Sequence, residues 1–390
     1  MRSPDHFFLF GYFGQGNLGD DLLLRATIEG IRQLLPAAQF VVRNESEIAG
    51  AATMGAPVEL SYIDRILADR KRSKAVRLIK TLSAYSVHFR RCQWLVFSGG
   101  TLFHERTSIQ PLILTCLICL IARLRGTRVA ALGVGVSDLR SGWARLLFRA
   151  IVLLADVFTV RDEAALAQCR KAGVEVCVHL TGDLVFNLKS LLLFRPAFVE
   201  GRPGKTIGLS VYPPMLSDVR ALSAVQQLLT ALISGGWRIV LMSFQEPMEE
   251  RSNAISDQSL FAGMVADLSQ QQRKMITERI LSAIPSELSA AYSEIDVYCG
   301  MRFHGHVLAA IFGKPFVGIS NDNKISEICR TFDMPCEDAR ELSPHELVTR
   351  IEETASRIPD RSRLDTCIAA SASNFSLLSQ ILCGYSRSLR

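Results

Sequence analysis

The sequence has no long basic run and no second Cys-x-x-Cys, and its most apolar run is too short to cross a bilayer. Each absence removes a class of function. The net charge is only +6 over 390 residues, with Lys and Arg slightly outnumbering the acids and no long basic run. That argues against nucleic acid as a partner and leaves small anions or an acidic membrane surface. Cys116 and Cys119 have the Cys-x-x-Cys spacing, but they sit inside the apolar run 112–124. Without a second pair or a ligand cluster elsewhere, no metal site is expected. Nearly all of the ten cysteines read as buried, reduced thiols of a cytosolic protein. The most apolar run, 111–122, falls short of the roughly 20 residues that span a bilayer, so it reads as a core helix. No charged region followed by a long apolar core opens the chain, so no signal peptide is expected and the protein is placed in the cytoplasm. No repeat of roughly 20 to 50 residues is visible.

What is present is an alternation of strands and helices, twice over. The length alone suggests two domains. Residues 195–205 contain Pro196, Gly201, Pro203 and Gly204 and read as the linker. This gives a first domain over 1–194 and a second over 206–390, the latter ending in two helices. Each half shows short apolar strands that run into polar or glycine-rich loops and then into helices. The expected class is α/β, with two Rossmann-like, doubly wound parallel sheets. Residues 61–91 read as helical and basic. A solvated face is the plain explanation, and contact with an anionic membrane surface is the alternative.

In the first half, residues 6–12 read as a buried strand. Gly14, Gly16 and Gly19 follow in G-x-G-x-x-G spacing before a helix that begins near Asp20. The motif suggests a dinucleotide fingerprint. Asp20 and Asp21 argue against it, because two carboxylates at the helix start would repel a pyrophosphate; they suit capping and sugar hydroxyls. A second strand runs into Gly99, Gly100 and Thr101, with His104 and Glu105 close behind. Further strands end at 133–137, at Arg161-Asp162 and at Thr181-Gly182-Asp183. Loops at the carboxyl ends of parallel strands face the ligand crevice.

The densest chemistry lies in 298–324. Arg302, His304 and His306 stand near the start of a short apolar helix. The polar run from Ser320 through Asp322 to Lys324 lies just past the next strand. A helix N-terminus offers free N–H groups and a positive dipole end, so an anion is the expected guest. The bland alternative is that these side chains cap a helix. His306, two residues from His304, points elsewhere on a helix and has the lesser claim to a ligand.

Taken in order, these loops resemble the polysaccharide pyruvyl transferase family. Gly14-Gln-Gly-Asn17-Leu-Gly-Asp20-Asp21 is similar to its opening G-x-x-N-x-G-D-E, with Asp21 in place of Glu. Ser98-Gly99-Gly100-Thr101 looks like its second glycine loop. Arg161-Asp162 looks like its R-D element, with Ala164 and Ala165 where a Ser is common. Thr181-Gly182-Asp183 looks like its T-x-D. Met301-Arg302-Phe303-His304-Gly305, followed by the segment ending at Lys324, looks like its R-x-H and downstream lysine, with Asn321 where an aromatic is common.

The resemblance implies a two-domain fold like the GT-B glycosyltransferases, with the site in the cleft between the halves. It implies phosphoenolpyruvate as donor, a sugar of a surface polysaccharide precursor as acceptor, and a pyruvate ketal as product. Arg302, His304, Lys324 and Arg161 would be donor-site residues. No cofactor or metal is called for, since phosphoenolpyruvate is itself a substrate. On chemical grounds Arg302 could grip a carboxylate or phosphate and Lys324 neutralise the other. A histidine at position 304 could give and take protons. Asp20 or Asp21 would hold or deprotonate the acceptor sugar. Gly14, Asn17, Gly99, Gly100, Thr101 and Asp322 would line the substrates. An acceptor carried on a lipid would bring the basic segment to the inner membrane surface. Two other readings remain open. One is a nucleotide-sugar glycosyltransferase, whose base pocket would fall at 243–250, where Glu246, Glu249 and Glu250 would repel a diphosphate. The other is a non-catalytic scaffold of envelope-polymer synthesis.

Overall fold

The computed structural model describes residues 5–43, 58–61, 63–69, 71, 73–106, 108–192, 205–212, 219–245, 257–320 and 323–388. The expected linker lies outside the described residues except for Lys205, and so do Asp322, Asn321 and the glutamates at 246–250. The chain divides into two compact units. One comprises Met1–Gln15, Asp20–Leu188 and Cys367–Arg390; the other comprises Gly16–Gly19 and Lys189–Thr366.

The first unit is built on β1 (His6–Phe10), β2 (Gln39–Val42), β3 (Val58–Leu60), β4 (Trp94–Ser98), β5 (Thr101–His104), β6 (Arg128–Ser137), β7 (Val157–Val160) and β8 (His179–Leu180). The sheet order is β3-β2-β1-β4-β6-β7-β8, with β5 paired to β6, and the pairings are parallel. Strands such as Phe7-Phe8-Leu9-Phe10 and Leu95-Val96-Phe97 are apolar at successive positions because helices cover both faces of a parallel sheet. Phe97, Phe103, Phe148 and Phe158 pack edge-on or tilted in its core, with ring centroids 5.4 to 5.7 Å apart. The order in which strands are added to the sheet reverses between β1 and β4, and such a switch point opens a crevice at the carboxyl ends of the two strands. The glycine loops after Phe10 and after Ser98 stand there.

The second unit repeats the scheme with β9 (Thr206–Ser210), β10 (Arg238–Ser243), β11 (Ile276–Ile280), β12 (Val297–Gly300), β13 (Phe316–Ile319) and β14 (Cys336–Glu337). Their order is β11-β10-β9-β12-β13-β14, again parallel. The reversal falls between β9 and β12, where Ser210 pairs in register with Gly300. Trp237 and the apolar faces of β9, β10 and β12 form its core.

One expectation is corrected here. The final helix, Arg361–Ser388, does not stay with the second unit: from Cys367 onward it belongs to the first. By length and composition its Arg361–Cys383 part could cross a membrane. Its stripe Ser371, Asn374, Phe375 and Leu378 is instead buried. Asn374 donates to the Gly182 carbonyl at 3.1 Å and accepts from the Thr181 hydroxyl at 2.8 Å and from Thr159. Phe375 fills the space over Gly30, where a Cβ would meet the ring at 2.2 Å. A buried Asn that shares hydrogen bonds with two strand ends docks the helix on the first sheet, and its sequence position carries no trace of this.

Candidate active site

Arg302 anchors the reversal point of the second unit. It follows β12 and is the N-cap of helix Phe303–Ile311, with no side-chain capping bond. Its side chain is nearly buried. Nε donates to the Val211 carbonyl at 3.1 Å, Nη2 is ion-paired to Asp257, and the guanidinium carbon lies 4.8 Å from the centre of the Tyr212 ring. Asp257 is fully buried, and its other oxygen accepts from the backbone N–H of Phe244 at 2.9 Å and of Gln245 at 3.1 Å. One carboxylate therefore ties the carboxyl ends of β9, β10 and β12 together through Arg302. Burial pushes the Asp257 carboxyl above its usual range, and Arg302 with the two N–H donors pulls it part of the way back. Sequence reasoning missed Asp257. It lies 45 residues before Arg302, just after a polar stretch, and no local motif marks it.

His304 is half-buried in the first turn of the same helix. The segment Gly16–Gly19 belongs to this second unit. Leu18 N–H donates to the Phe244 carbonyl at 2.9 Å, Asn17 forms an antiparallel bridge with Gln245, and the Asn17 side chain accepts from Gly19 N–H at 3.1 Å. This docking brings the Gly19 backbone against the imidazole. A Cβ on Gly19 would lie 2.1 Å from His304 Nδ1. Gly19 thus serves close approach, whereas Gly14 and Gly16, at φ 61° and 71°, serve the turn. Asn17, Gly19, Arg302 and His304 form one constellation. Lys324 opens the helix Asn323–Phe332 after β13, the neighbour of β12, and is half-buried.

His306 turns inward, in keeping with its lesser claim. Nδ1 lies 2.9 Å from the Arg302 carbonyl and Nε2 lies 3.4 Å from that of Val317. The ring stands edge-on to Tyr298 and Phe316. Burial lowers its pKa from 6.5 to about 4. The folded state therefore prefers the neutral ring. The stability this contributes is complete above about pH 6.5 and is lost as pH falls toward 4. The expected loss over that window is about 3 kcal/mol. Urea unfolding of the native chain and of His306→Gln, at neutral pH and at the acid end of the window, checks it. An equal loss in the variant would remove His306 as the cause.

The first unit gathers a different set. Asp21 is buried and its Oδ1 accepts from Gly14 N–H at 2.7 Å. That bond ties Asp21, expected at the acceptor sugar, to the glycine loop. Asp20 is half-buried, with Oδ1 3.3 Å from where a Cβ on Gly100 would stand. Gly99 and Gly100 have φ 51° and 65°, so the turn needs them. Leu23 packs where a Gly99 side chain would project. Thr101 opens β5, half-buried, beside Gly135. Arg161 is buried and ion-paired to Asp162 at 3.2 Å and Asp183 at 3.0 Å. Burial alone would lower its pKa, but the two carboxylates outweigh that and raise it. An anionic ligand would have to compete with both, so the geometry makes Arg161 a strut joining β7 to the loop after β8. Glu105 accepts from Ser141 Oγ at 2.7 Å and from the Ser141 and Arg140 N–H groups at 2.8 and 3.0 Å, at the start of helix Gly142–Leu154. Those bonds lower its pKa. His104 accepts from Arg106 N–H at 3.4 Å.

Beside the first unit's glycine loop lies a cavity of about 550 Å³. Phe10, Tyr12 and Arg43, at the ends of β1 and β2, form part of it; Leu114 is apolar lining, and Lys74 and Arg77 bring further charge. The Arg43 guanidinium stacks over Phe10 at 4.5 Å. Among the described residues, no group of three or more His, Cys, Asp or Glu could hold a metal ion.

Solved structures with the same fold include UDP-GlcNAc 2-epimerases. The enzyme from Neisseria meningitidis, bound to UDP-GlcNAc, superposes with a TM-score of 0.62 at 11% identity, over 96% of this chain and 100% of that one. The Methanocaldococcus jannaschii enzyme gives 0.65 at 8% identity, over 96% and 99%. Anabaena HepE in complex with UDP-glucose gives 0.56 at 12% identity, over 98% and 99%. At these identities the likeness shows the fold, GT-B, with its two doubly wound sheets. No curated protein matches the chain. The sequence pattern of a transferase family, polysaccharide pyruvyl transferase, matches residues 17–323. The match begins at Asn17, within the first glycine loop, takes in the second and the Arg302–His304 turn, and runs through most of the chain, which therefore belongs to the polysaccharide pyruvyl transferase family.

Proposed function

We propose that the protein transfers the pyruvyl group of phosphoenolpyruvate to two hydroxyls of a sugar in a surface-polysaccharide precursor, forming a ketal and releasing phosphate. The observation that carries this is the buried Asp257–Arg302 pair, which fixes a guanidinium at the start of the helix bearing His304. The dianionic end of the donor suits that helix start, with Arg302 as a planar fork and Lys324 as a point charge. His304 delivers a proton to the methylene carbon and takes one from the attacking hydroxyl. The first hydroxyl bonds to the enol carbon. The second displaces phosphate from the same carbon, and its proton leaves with the phosphate. Asp20, beside Gly100, holds the acceptor sugar. Asp21 and Arg161 keep their loops in place, and no step is routed through them.

Thermal unfolding with phosphoenolpyruvate tests the donor. At about 100 times its dissociation constant a ligand adds roughly 2.7 kcal/mol to stability. The native chain is expected to show that gain. Arg302→Lys keeps the charge beside Asp257 but loses the fork, and is expected to lose most of the gain. A UDP-sugar is the competing donor, favoured by the UDP-GlcNAc and UDP-glucose held by the fold neighbours. Stabilisation by a UDP-sugar and none by phosphoenolpyruvate would replace the proposal with glycosyl transfer.

A further inference from the structure

Three helices lie side by side against the first unit's sheet: Lys74–His88, Gln110–Leu124 and Gly142–Leu154. Their inward stripes, among them Tyr85, Ile118, Cys119, Phe148 and Ile151, belong to the core. The outer face of such a layer is ordinarily polar. Here it is apolar as well. Ile79 is 64% exposed, Leu124 77% and Trp143 71%, and Val87, Leu120 and Leu153 are exposed with them. Exposed apolar side chains gathered on one helical layer mark an interaction face.

The charge on these helices has one sign. They carry Lys74, Arg77, Lys80, Arg123, Arg145 and Arg149, and none of the three contains an Asp or Glu. Arg123 is partnered by Asp156, just beyond the third helix. A second copy of the chain would set cation against cation across this face, whereas an anionic surface complements it. Apolar side chains and a tryptophan interleaved with Lys and Arg are the chemistry of helices that lie in a membrane interface. We propose that this three-helix face seats the protein on an anionic lipid bilayer. Lys74, Arg77, Ile113 and Leu114 line the cavity and also belong to two of these helices, so the seat brings the cavity beside the lipid headgroups.

The seat does not depend on the donor chemistry, and its test uses no donor. The full chain is floated with phosphatidylcholine vesicles that contain or lack phosphatidylglycerol. Trp94 and Trp237 are buried, so a blue shift of tryptophan emission on binding reports Trp143. Co-flotation and a blue shift with the anionic vesicles, both diminished by salt, are expected. Lys74→Glu/Lys80→Glu is expected to weaken partitioning by at least about tenfold. Ile79→Ser/Leu124→Ser/Trp143→Ser, all at exposed positions, is expected to do the same in flotation with its unfolding midpoint kept. No flotation with anionic vesicles, or undiminished flotation of both variants, would overturn the proposal. So would a dimer in vesicle-free solution that the apolar triple variant dissociates.

Discussion

Gly19→Ala is expected to lower turnover by at least about 100-fold, the lower range for loss of a general acid–base group. The added methyl would stand 2.1 Å from His304 Nδ1, far inside van der Waals contact. The backbone does not yield easily. Gly19 is held by its N–H bond to Asn17 and by the adjoining Leu18 bond to the Phe244 carbonyl. The imidazole is therefore the group that moves, and it leaves the place from which the proposed proton transfer occurs. The substitution adds one methyl outside the hydrophobic core, so the unfolding midpoint is expected to change little compared with turnover. The decisive comparison is a double-mutant cycle. If Gly19→Ala acts by displacing His304, then Gly19→Ala/His304→Ala is no slower than His304→Ala alone. Independent losses that add would show that Gly19 acts through something else, and full activity of Gly19→Ala would remove His304 from the chemistry in this position.

Asp257→Ala is expected to cost about 3–5 kcal/mol of stability, the range for breaking a buried ion pair from one side. The reason is what it leaves behind. Arg302 remains with 10% of its side chain exposed and without its carboxylate, and the N–H groups of Phe244 and Gln245 lose their acceptor. Asp257→Asn keeps an oxygen for the two N–H donors and drops only the charge, so it is expected to fall between the native chain and Asp257→Ala. Both variants are expected to weaken phosphoenolpyruvate binding, because Arg302 loses its orientation. Urea unfolding together with the ligand-induced thermal shift measures the two effects separately. A midpoint for Asp257→Ala equal to that of the native chain would mean that Asp257 does not carry the Arg302 guanidinium.

The alternation that makes two doubly wound sheets is legible in the sequence because it is local. Apolar runs such as Phe7-Phe8-Leu9-Phe10 need helices on both faces, and the glycines and polar residues that end them mark the loops. The placement of Arg302 and His304 at a helix start follows from the same local grammar. Their partners do not. Gly19 and His304 meet over a separation that no periodicity reports, and Asp257 looks like any acid in a polar stretch.

Asp20 and Asp21 show how fine the distinction is. The two are chemically identical neighbours at a helix start, yet one braces Gly14 and the other faces Gly100. Only the path of the preceding loop separates their parts. The outward apolar stripe of the helices Lys74–His88, Gln110–Leu124 and Gly142–Leu154 was hidden for a related reason. A helix that is apolar on two sides reads in sequence as a core helix, and exposure exists only once its neighbours are placed.

By itself, then, the sequence determined the α/β class, the two-sheet plan, the family motifs and the position of Arg302 and His304 at a helix start, all of which rest on neighbouring residues and short periods. The tertiary structure alone decided that Asp257 holds Arg302, that Asp21 bonds to Gly14 and Arg161 pairs with Asp162 and Asp183, that the last helix docks through Asn374 on the first sheet, and which apolar residues face out. Those facts depend on pairings across long stretches of chain, where burial and charge complementarity act and local pattern carries no information.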